Sequence, residues 1–292
     1  MNYFTIITVC LNAADVLDKT IMSVLAQDCG DFEYLLKDGG SGDDTLKIAE
    51  SYVPAFAEKG IPFRILSQPD RGIYDAMNQA AQAAQGEWVL YMNAGDRFAD
   101  RSVLSQAYGD PSFHTADVVY GDVITQYNDL YQYKKAHTLE ALWFVMPFCH
   151  QSVFTKKELL TATPYSLRYR ISSDHQFYLR LYTEGKRFAY LPFAISIFDT
   201  QGVSSDTVTR NREILAILEE MPNRNEEAIQ NAKIRLEKCE KKEKRNVFLR
   251  KIVPMPIRRM RADYLRRKAN GKTEKEFFSD RNQAAADFAS HK

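Results

Sequence analysis

Residues 4–25 read FTIITVCLNAADVLDKTIMSVL. The first eight are apolar and β-branched enough for a strand buried on both faces, and Leu17, Ile21, Val24 and Leu25 then recur at helical spacing. A strand therefore leads into a helix. Residues 33–37 repeat the strand signal, Asp38-Gly39-Gly40-Ser41-Gly42-Asp43-Asp44 makes a turn, and Leu46, Ala49, Tyr52 and Val53 form a second helical stripe that Pro54 kinks or ends. Residues 63–66 give a third strand, Ala76, Met77, Ala80, Ala81 and Ala84 mark a third helix, and residues 88–92 give a fourth strand. Alternation of this kind over residues 1–96 predicts a mostly parallel α/β sheet flanked by helices.

The pattern changes after Asp96. Residues 118–124 and 130–134 read as a strand pair, followed by a short helix near 139–144 and a strand at 151–154. Asp174 opens a helix carrying Phe177, Tyr178 and Leu181 and ended by Gly185, with strands at 187–191 and 194–198. This half is expected to complete the sheet and build the second wall of a cleft. From Arg210 onward the composition is helical, with turn clusters only at Met221-Pro222-Asn223 and Pro254-Met255-Pro256. The expected organisation is a domain over 1–208, divided into halves 1–96 and 97–208, followed by a helical, basic extension over 209–292.

The chain has 292 residues, 45% hydrophobic and 26% charged, enough for one sizeable core and a soluble surface. Its net charge of +1 removes the global argument for a nucleic-acid partner. The charge is nevertheless segregated: residues 231–270 hold 15 Lys/Arg against 4 Asp/Glu, and the rest hold 24 against 34. Cys10, Cys29, Cys149 and Cys239 are far apart and form no CxxC pair, which argues against zinc or a disulfide framework and for a reducing cytosol. The amino terminus reads as a strand, not a signal peptide, and no run approaches the roughly 18 apolar residues a bilayer span needs. The expected location is cytoplasmic, peripheral on the inner face of the plasma membrane.

In an open parallel sheet the ligand crevice lies past the carboxyl ends of the strands. Asp38 follows the second strand there and Asp96 follows the fourth, in Met92-Asn93-Ala94-Gly95-Asp96. Carboxylates so placed coordinate a divalent cation or accept hydrogen bonds from a base or sugar; equally, Asp43, Asp44 and Asp96 are read as turn residues or helix caps. No G-x-G-x-x-G, P-loop or G-x-S-x-G pattern occurs, which disfavours hydride transfer, P-loop NTPase chemistry and acyl transfer.

The ordered motifs Thr8-Val9-Cys10-Leu11-Asn12, Lys37-Asp38-Gly39-Gly40-Ser41-Gly42-Asp43-Asp44-Thr45, Pro69-Asp70-Arg71-Gly72-Ile73-Tyr74-Asp75-Ala76-Met77-Asn78, Gly86-Glu87 and Met92 to Asp96 resemble the family 2 glycosyltransferases, specifically their bacterial polysaccharide-assembly branch. The resemblance extends through His150-Gln151-Ser152-Val153-Phe154 and Ile171-Ser172-Ser173-Asp174-His175 and covers roughly residues 3–200. It implies the GT-A fold, a Rossmann-like mixed α/β sheet joining a nucleotide-binding half to an acceptor-binding half. It implies inverting transfer of a sugar from a nucleotide diphosphate to an acceptor hydroxyl. Thr8 and Asn12 would flank the nucleoside pocket and Asp38 would contact base or ribose. Arg71, Asp75, Asn78 and Asn93 would lie along the donor, with Arg71 meeting diphosphate charge, Asp96 holding the metal, and Asp174 acting as base.

The resemblance fails at one motif. Where many members carry D-x-D, this chain has Asn93-Ala94-Gly95, leaving Asp96 as the one carboxylate of the segment, so Mg²⁺ or Mn²⁺ is expected with an incomplete ligand set. Asp174 is read as the base that takes the acceptor proton or as the amino-terminal cap of its helix. His150 is read as orienting a phosphate or acceptor, or as structural. The basic stretch at 241–268, with interleaved Val, Phe, Ile, Met and Leu, is expected to lie on an anionic membrane that presents a glycan or lipid-linked acceptor, or to be a solvated helix or an oligomer contact. Two further readings compete with the enzyme: a catalytically weak nucleotide-sugar binding or scaffold protein, and a nucleotidyltransferase.

Overall fold

A computed structural model describes residues 3–200, 206–252, 260, 264–265, 271–273 and 276–277. Strand β1 (Phe4–Cys10) is buried along its whole length because helices cover both faces of the sheet. It is followed by α1 (Ala14–Leu25), β2 (Phe32–Asp38), α2 (Thr45–Ser51), α3 (Val53–Glu58), β3 (Phe63–Ser67), α4 (Ile73–Ala83) and β4 (Trp88–Tyr91). Alternate β1 residues face opposite cores. Phe4 and Ile6 pack with Leu17, Ile21 and Val24 of α1, whereas Ile7 and Val9 pack with Met77, Ala80 and Ala81 of α4. Each fully buried Leu or Ile here contributes roughly 1.5–3 kcal/mol by removal from water. The predicted helix around Pro54 is two helices: the chain breaks at Tyr52 and Pro54 sits in the first turn of α3, where its missing N–H has no partner to lose.

The second half adds β5 (Arg97–Phe98), α5 (Val103–Tyr108), β6 (Val118–Tyr127), β7 (Leu130–Lys134), β8 (Val153–Lys156), α6 (Lys157–Ala162), α7 (Ser173–Thr183) and β9 (Phe188–Asp199). Helices α8 (Thr207–Glu220) and α9 (Glu226–Ile252) and the two-residue β10 (Lys272–Thr273) follow. Hydrogen bonding runs β10-β7-β6-β8-β4-β1-β2-β3, with β9 along β6 and β5 on β9. Pairing is parallel through β3, β2, β1 and β4 and antiparallel at β4–β8, β8–β6 and β6–β7. The switch from parallel to antiparallel falls where the sequence pattern changes. The two strands expected at 187–191 and 194–198 are one strand, β9, whose register against β6 shifts around Gly121 and Asp122. His150 does not begin a strand: it opens the 3₁₀ turn His150–Ser152, and β8 starts at Val153.

The boundary expected at residue 208 does not separate two cores. Ile214, Ile217, Leu218 and Met221 of α8 and Ala228, Ile229 and Ala232 of α9 share one buried cluster with Tyr74, Phe177 and Tyr178. Much of the basic stretch 241–268, and all of Pro254-Met255-Pro256, lies outside the described residues. Met260, Tyr264 and Leu265 within it are exposed. No helix among the described residues is long and apolar enough to cross a membrane.

Candidate active site

The carboxyl ends of β2, β1 and β4 lie side by side, so Asp38 and the Asn93–Asp96 turn are two strand spacings apart, about 10 Å. On the β2 side, the Asp38 carboxylate accepts the N–H groups of Gly40 (2.9 Å) and Ser41 (3.1 Å) and the hydroxyls of Ser41 and Ser67, the last at 2.8 Å. Burial opposes its charge, but the hydrogen bonds from Ser41, Ser67 and Gly40 outweigh it and hold Asp38 below the usual carboxylate value. Its lone pairs are thus engaged by its own loop and by Ser67 at the end of β3, and Asp38 shapes that loop. Asn12, at φ 48°, locks the same loop from β1: its N–H donates to Ser41 Oγ and its Oδ1 accepts Gly42 N–H. Asp43 is a turn residue, accepting the N–H of Ala14 at the start of α1 and that of Thr45 at the start of α2.

Thr8 faces inward. It is fully buried, donates to Met92 O and accepts the Tyr34 hydroxyl, so it braces β1 against β4 and β2. The exposed residue there is Leu11, 56% accessible, whose Cδ1 lies 3.4 Å from where a Cβ on Gly39 would stand. A Cβ at Gly39 would also come within 2.7 Å of Asp70 Oδ2, so only glycine lets the two loops approach. Asp70 in turn pairs with buried Lys37 at 2.9 Å, and the ammonium's other two protons go to Asp38 O and Gln68 O.

The segment before α4 forms the next part of the rim. Arg71, with a side chain 77% exposed, bonds to Asp75, which also accepts Arg71 N–H at 2.9 Å. The Arg71 hydrogen bonds hold Asp75 below its ordinary value. Asp75 therefore presents Arg71 and does not itself face outward. Asn78 is also engaged: its amide donates to Tyr165 O at 2.8 Å and accepts Tyr165 N–H at 2.9 Å, clamping α4 to the loop before α7.

Asp174 stands opposite. It occupies the second position of α7, one beyond the first helical residue, and Ser172 takes the cap position. Its Oδ1 lies 2.9 Å from the Tyr74 hydroxyl and 2.9 Å from its neighbour's N–H, that of His175, while Oδ2 has no hydrogen-bond partner among the described residues. The carboxylate is half-buried, with one oxygen anchored and one open. Behind it His150 Nε2 is 2.9 Å from the Tyr165 hydroxyl and its ring stacks on Tyr91. Burial lowers its pKa, partly offset by the Asp174 charge, and His150 is a buried member of this aromatic wall.

Across the opening, Asp96 Oδ1 accepts Asp199 N–H at 3.0 Å, and burial raises its carboxyl to about 8 against that hydrogen bond. Asn93 sits in the same turn, its carbonyl accepting Asp96 N–H at 2.9 Å, and its side-chain Oδ1 is buried with no hydrogen-bond partner among the described residues. Cys149 links the two sides: burial raises its thiol, and the charges of Asp96 and Asp174 both raise it further. The site thus runs Asp38, Asp70, Tyr74, Asp174, Cys149, Asp96 around one edge of the sheet. Sequence reasoning missed Tyr74 and Cys149. They lay inside or beside quoted motifs, but nothing local marked them as partners of Asp174 and Asp96.

Among the described residues no group of three His, Cys, Asp or Glu side chains could enclose a metal ion. The donors that would face a cation are the Asp96 carboxyl, whose charged form burial disfavours until a cation offsets it, and the Asn93 amide oxygen, both hard ligands of the kind Mg²⁺ accepts when phosphate oxygens and water supply the rest. The residues fit a cation that arrives with a diphosphate better than one bound by protein alone.

The fold agrees with what the chain is similar to. A glycosyltransferase of PGL/p-HBAD biosynthesis from Mycobacterium bovis is 36% identical over 208 residues, 70% of this chain and 80% of its own. The cholesterol galactosyltransferase of Borreliella burgdorferi is 33% identical over 108 residues, 37% of this chain and 29% of its own. Among solved structures, S. aureus TarS 1–349 in complex with UDP-GlcNAc superposes with a TM-score of 0.60 at 18% identity, over 80% of this chain and 70% of its own. The mannosyltransferase PcManGT from Pyrobaculum calidifontis, in complex with GDP-Man and Mn²⁺, gives 0.59 at 16% identity, over 90% and 79%. The family model described as Glycosyl transferase family 2 matches residues 5–177, more than half of the chain, and this protein accordingly belongs to that family and is a glycosyltransferase.

Proposed function

We propose that the protein transfers a sugar, with inversion, from a nucleotide diphosphate donor to an acceptor hydroxyl in bacterial cell-surface glycan or glycolipid synthesis. The reading is carried by Asp174: a carboxylate fixed through one oxygen by Tyr74, open at the other, with Asp96 and Asn93 across the same edge. An acceptor hydroxyl is a poor nucleophile at neutral pH. Asp174 Oδ2 takes its proton as the oxygen bonds to the anomeric carbon from the face opposite the leaving group, a contribution of roughly 10² to 10⁴ in rate. The bond from the anomeric carbon to the diphosphate oxygen breaks, and the electron pair leaves with the nucleoside diphosphate. Arg71, held at the rim by Asp75, meets that developing charge electrostatically.

Asn93 and Asp96 are the residues that would hold Mg²⁺ or Mn²⁺, which when bound stabilises the leaving diphosphate. The loop shaped by Asp38 and Asn12, with Leu11 exposed beside it, receives the nucleoside. The UDP, UDP-GlcNAc and GDP-Man held by the structural neighbours support a nucleotide-sugar donor. The basic stretch at 241–268 brings the enzyme to an anionic membrane surface where a lipid-linked acceptor resides.

The test begins with thermal shift against UDP-glucose, UDP-GlcNAc and GDP-mannose, with and without Mn²⁺. The donor that stabilises the protein is then assayed for release of nucleoside diphosphate. Asp174→Asn is expected to lower turnover at least a hundredfold while donor binding stays within about twofold. Donor binding by wild type with no turnover on any acceptor offered would instead support the binding-protein reading.

A further inference from the structure

Asp174 owes its place to a helix outside the stretch that the family model matches. Glu213, on α8, receives three successive main-chain N–H groups: Arg170 at 2.8 Å on Oε1, and Ile171 and Ser172, each at 2.9 Å, on Oε2. One turn earlier on the same helix, the Arg210 carbonyl accepts the Ser172 hydroxyl at 3.4 Å. At the far end of α8, Glu220 pairs with Arg168 and accepts the Tyr169 hydroxyl at 2.9 Å. The whole segment entering α7 is therefore held along one face of α8. Consecutive N–H groups converging on one anion form a concave cradle, and removing the anion leaves three donors to find new partners.

The grip reaches the site in two residues. Ser172 caps α7 and Asp174 is its second residue. The Ile171 peptide is fastened at both ends: its N–H goes to Glu213, and its carbonyl lies 2.7 Å from the Tyr74 hydroxyl that also contacts Asp174 Oδ1. Tyr74 thus shares its proton between the carboxylate and the backbone that Glu213 fixes. We propose that Glu213 is a positioning residue for the proton transfer, holding residues 170–172 so that Asp174 Oδ2 faces the acceptor. The proposal rests on Asp174 being the base. A misplacement of about 1 Å at such a group costs on the order of a hundredfold in rate even when binding is intact.

The experiment compares wild type with Glu213→Gln, Glu213→Ala and Glu213→Asp, using whichever of UDP-glucose, UDP-GlcNAc or GDP-mannose is turned over. In the Gln variant kcat is expected to fall at least tenfold, and in Ala about a hundredfold, with KM for the nucleotide sugar within twofold of wild type. Glu213→Asp, which keeps two acceptor oxygens, is expected to recover part of kcat relative to Gln. Hydrogen exchange in peptides covering 166–176 is expected to quicken at least tenfold in Gln and Ala, with peptides covering 4–38 unchanged. If Ala does not fold, the isosteric Gln variant carries the comparison. A kcat within twofold of wild type in Gln, or unchanged exchange at 166–176, overturns the proposal, as does a loss of kcat matched by an equal loss of nucleotide-sugar binding. If Asp174→Asn keeps kcat within twofold of wild type while the exchange difference in the Glu213 variants persists, Asp174 is not acting as the base and the catalytic role of Glu213 falls, leaving only a structural latch.

Discussion

Asp38 shows how a residue type at a strand end differs from a residue's role. Its carboxylate is engaged by Gly40, Ser41 and Ser67, and these bonds hold its pKa below the ordinary value in spite of burial. A depressed folded-state value means that the stabilisation is present above about pH 4 and is lost as pH falls through the folded-state value. Asp38→Asn is therefore expected to lower stability by about 1–3 kcal/mol at pH 7, and to lose less than wild type between about pH 5 and pH 3. Denaturant unfolding at the two pH values measures both effects. A second expectation concerns Tyr74→Phe. It removes the hydroxyl beside Asp174 Oδ1 and Ile171 O, so kcat is expected to fall about tenfold with donor Kd unchanged, as read by steady-state kinetics and titration. The sequence made Asp174, Asp96, Arg71 and Asn93 visible because they sit in motifs at the ends of strands or the start of a helix. It could not show that Thr8 turns inward to Tyr34 or that Asn78 is spent on Tyr165, since which lone pairs are taken depends on partners 26 and 87 residues away.

Elements with a clear period were legible for the same physical reason that they fold. Strands β1 and β4 are largely apolar runs buried along their whole length, and α1 and α4 carry one buried stripe each, so pattern and burial coincide. Short pieces were not legible: β5 and β10 have two residues each, and α5 and α6 six each, too few to show a period. Glycine-constrained contacts belong to this scale too. A Cβ on Gly86 would stand 2.5 Å from the Phe4 carbonyl carbon, which explains why Gly86 precedes β4 whatever the local propensity. The joint between α4 and the segment before α7 carries a testable consequence. Asn78 meets both the N–H and the carbonyl of Tyr165, so Asn78→Asp replaces a donor facing that carbonyl with an acceptor. A loss of about 2–3 kcal/mol is expected in chemical denaturation, with Asn78→Ala no worse, because alanine removes the mismatch along with the bonds. An Asp variant as stable as wild type would mean that the clamp has another partner.

At the scale of the whole molecule, two features of the chain pull apart: the core continues past residue 208, whereas the positive charge gathers between 231 and 270. A chain ending at 208 would lose Ile214, Ile217, Leu218, Ile229 and the other α8 and α9 residues that cover Tyr74, Phe177 and Tyr178. Each large side chain of that set is worth roughly 1.5–3 kcal/mol, and their sum is comparable to the usual stability of a domain. Truncation at 208 is accordingly expected to give no cooperative thermal transition, and α8 and α9 count as part of the catalytic domain. The charge beyond them is proposed to meet an anionic membrane. Met260, Tyr264 and Leu265 are 73%, 64% and 52% exposed, and Arg258, Arg259, Arg261, Arg266, Arg267 and Lys268 lie among them in sequence. Cations near an anionic leaflet contribute on the order of 1 kcal/mol each, so replacing all six by Gln is expected to weaken sedimentation with phosphatidylglycerol vesicles at least a hundredfold. Phosphatidylcholine vesicles, which offer no net charge, are expected to bind wild type and variant alike and weakly. Because the six substitutions leave Asp174, Asp96 and the rim untouched, turnover of a soluble nucleotide sugar is expected to stay within twofold. Equal binding of wild type and the Gln variant to anionic vesicles would assign the basic stretch to some surface other than lipid, and with it remove the argument that the acceptor is met at a membrane.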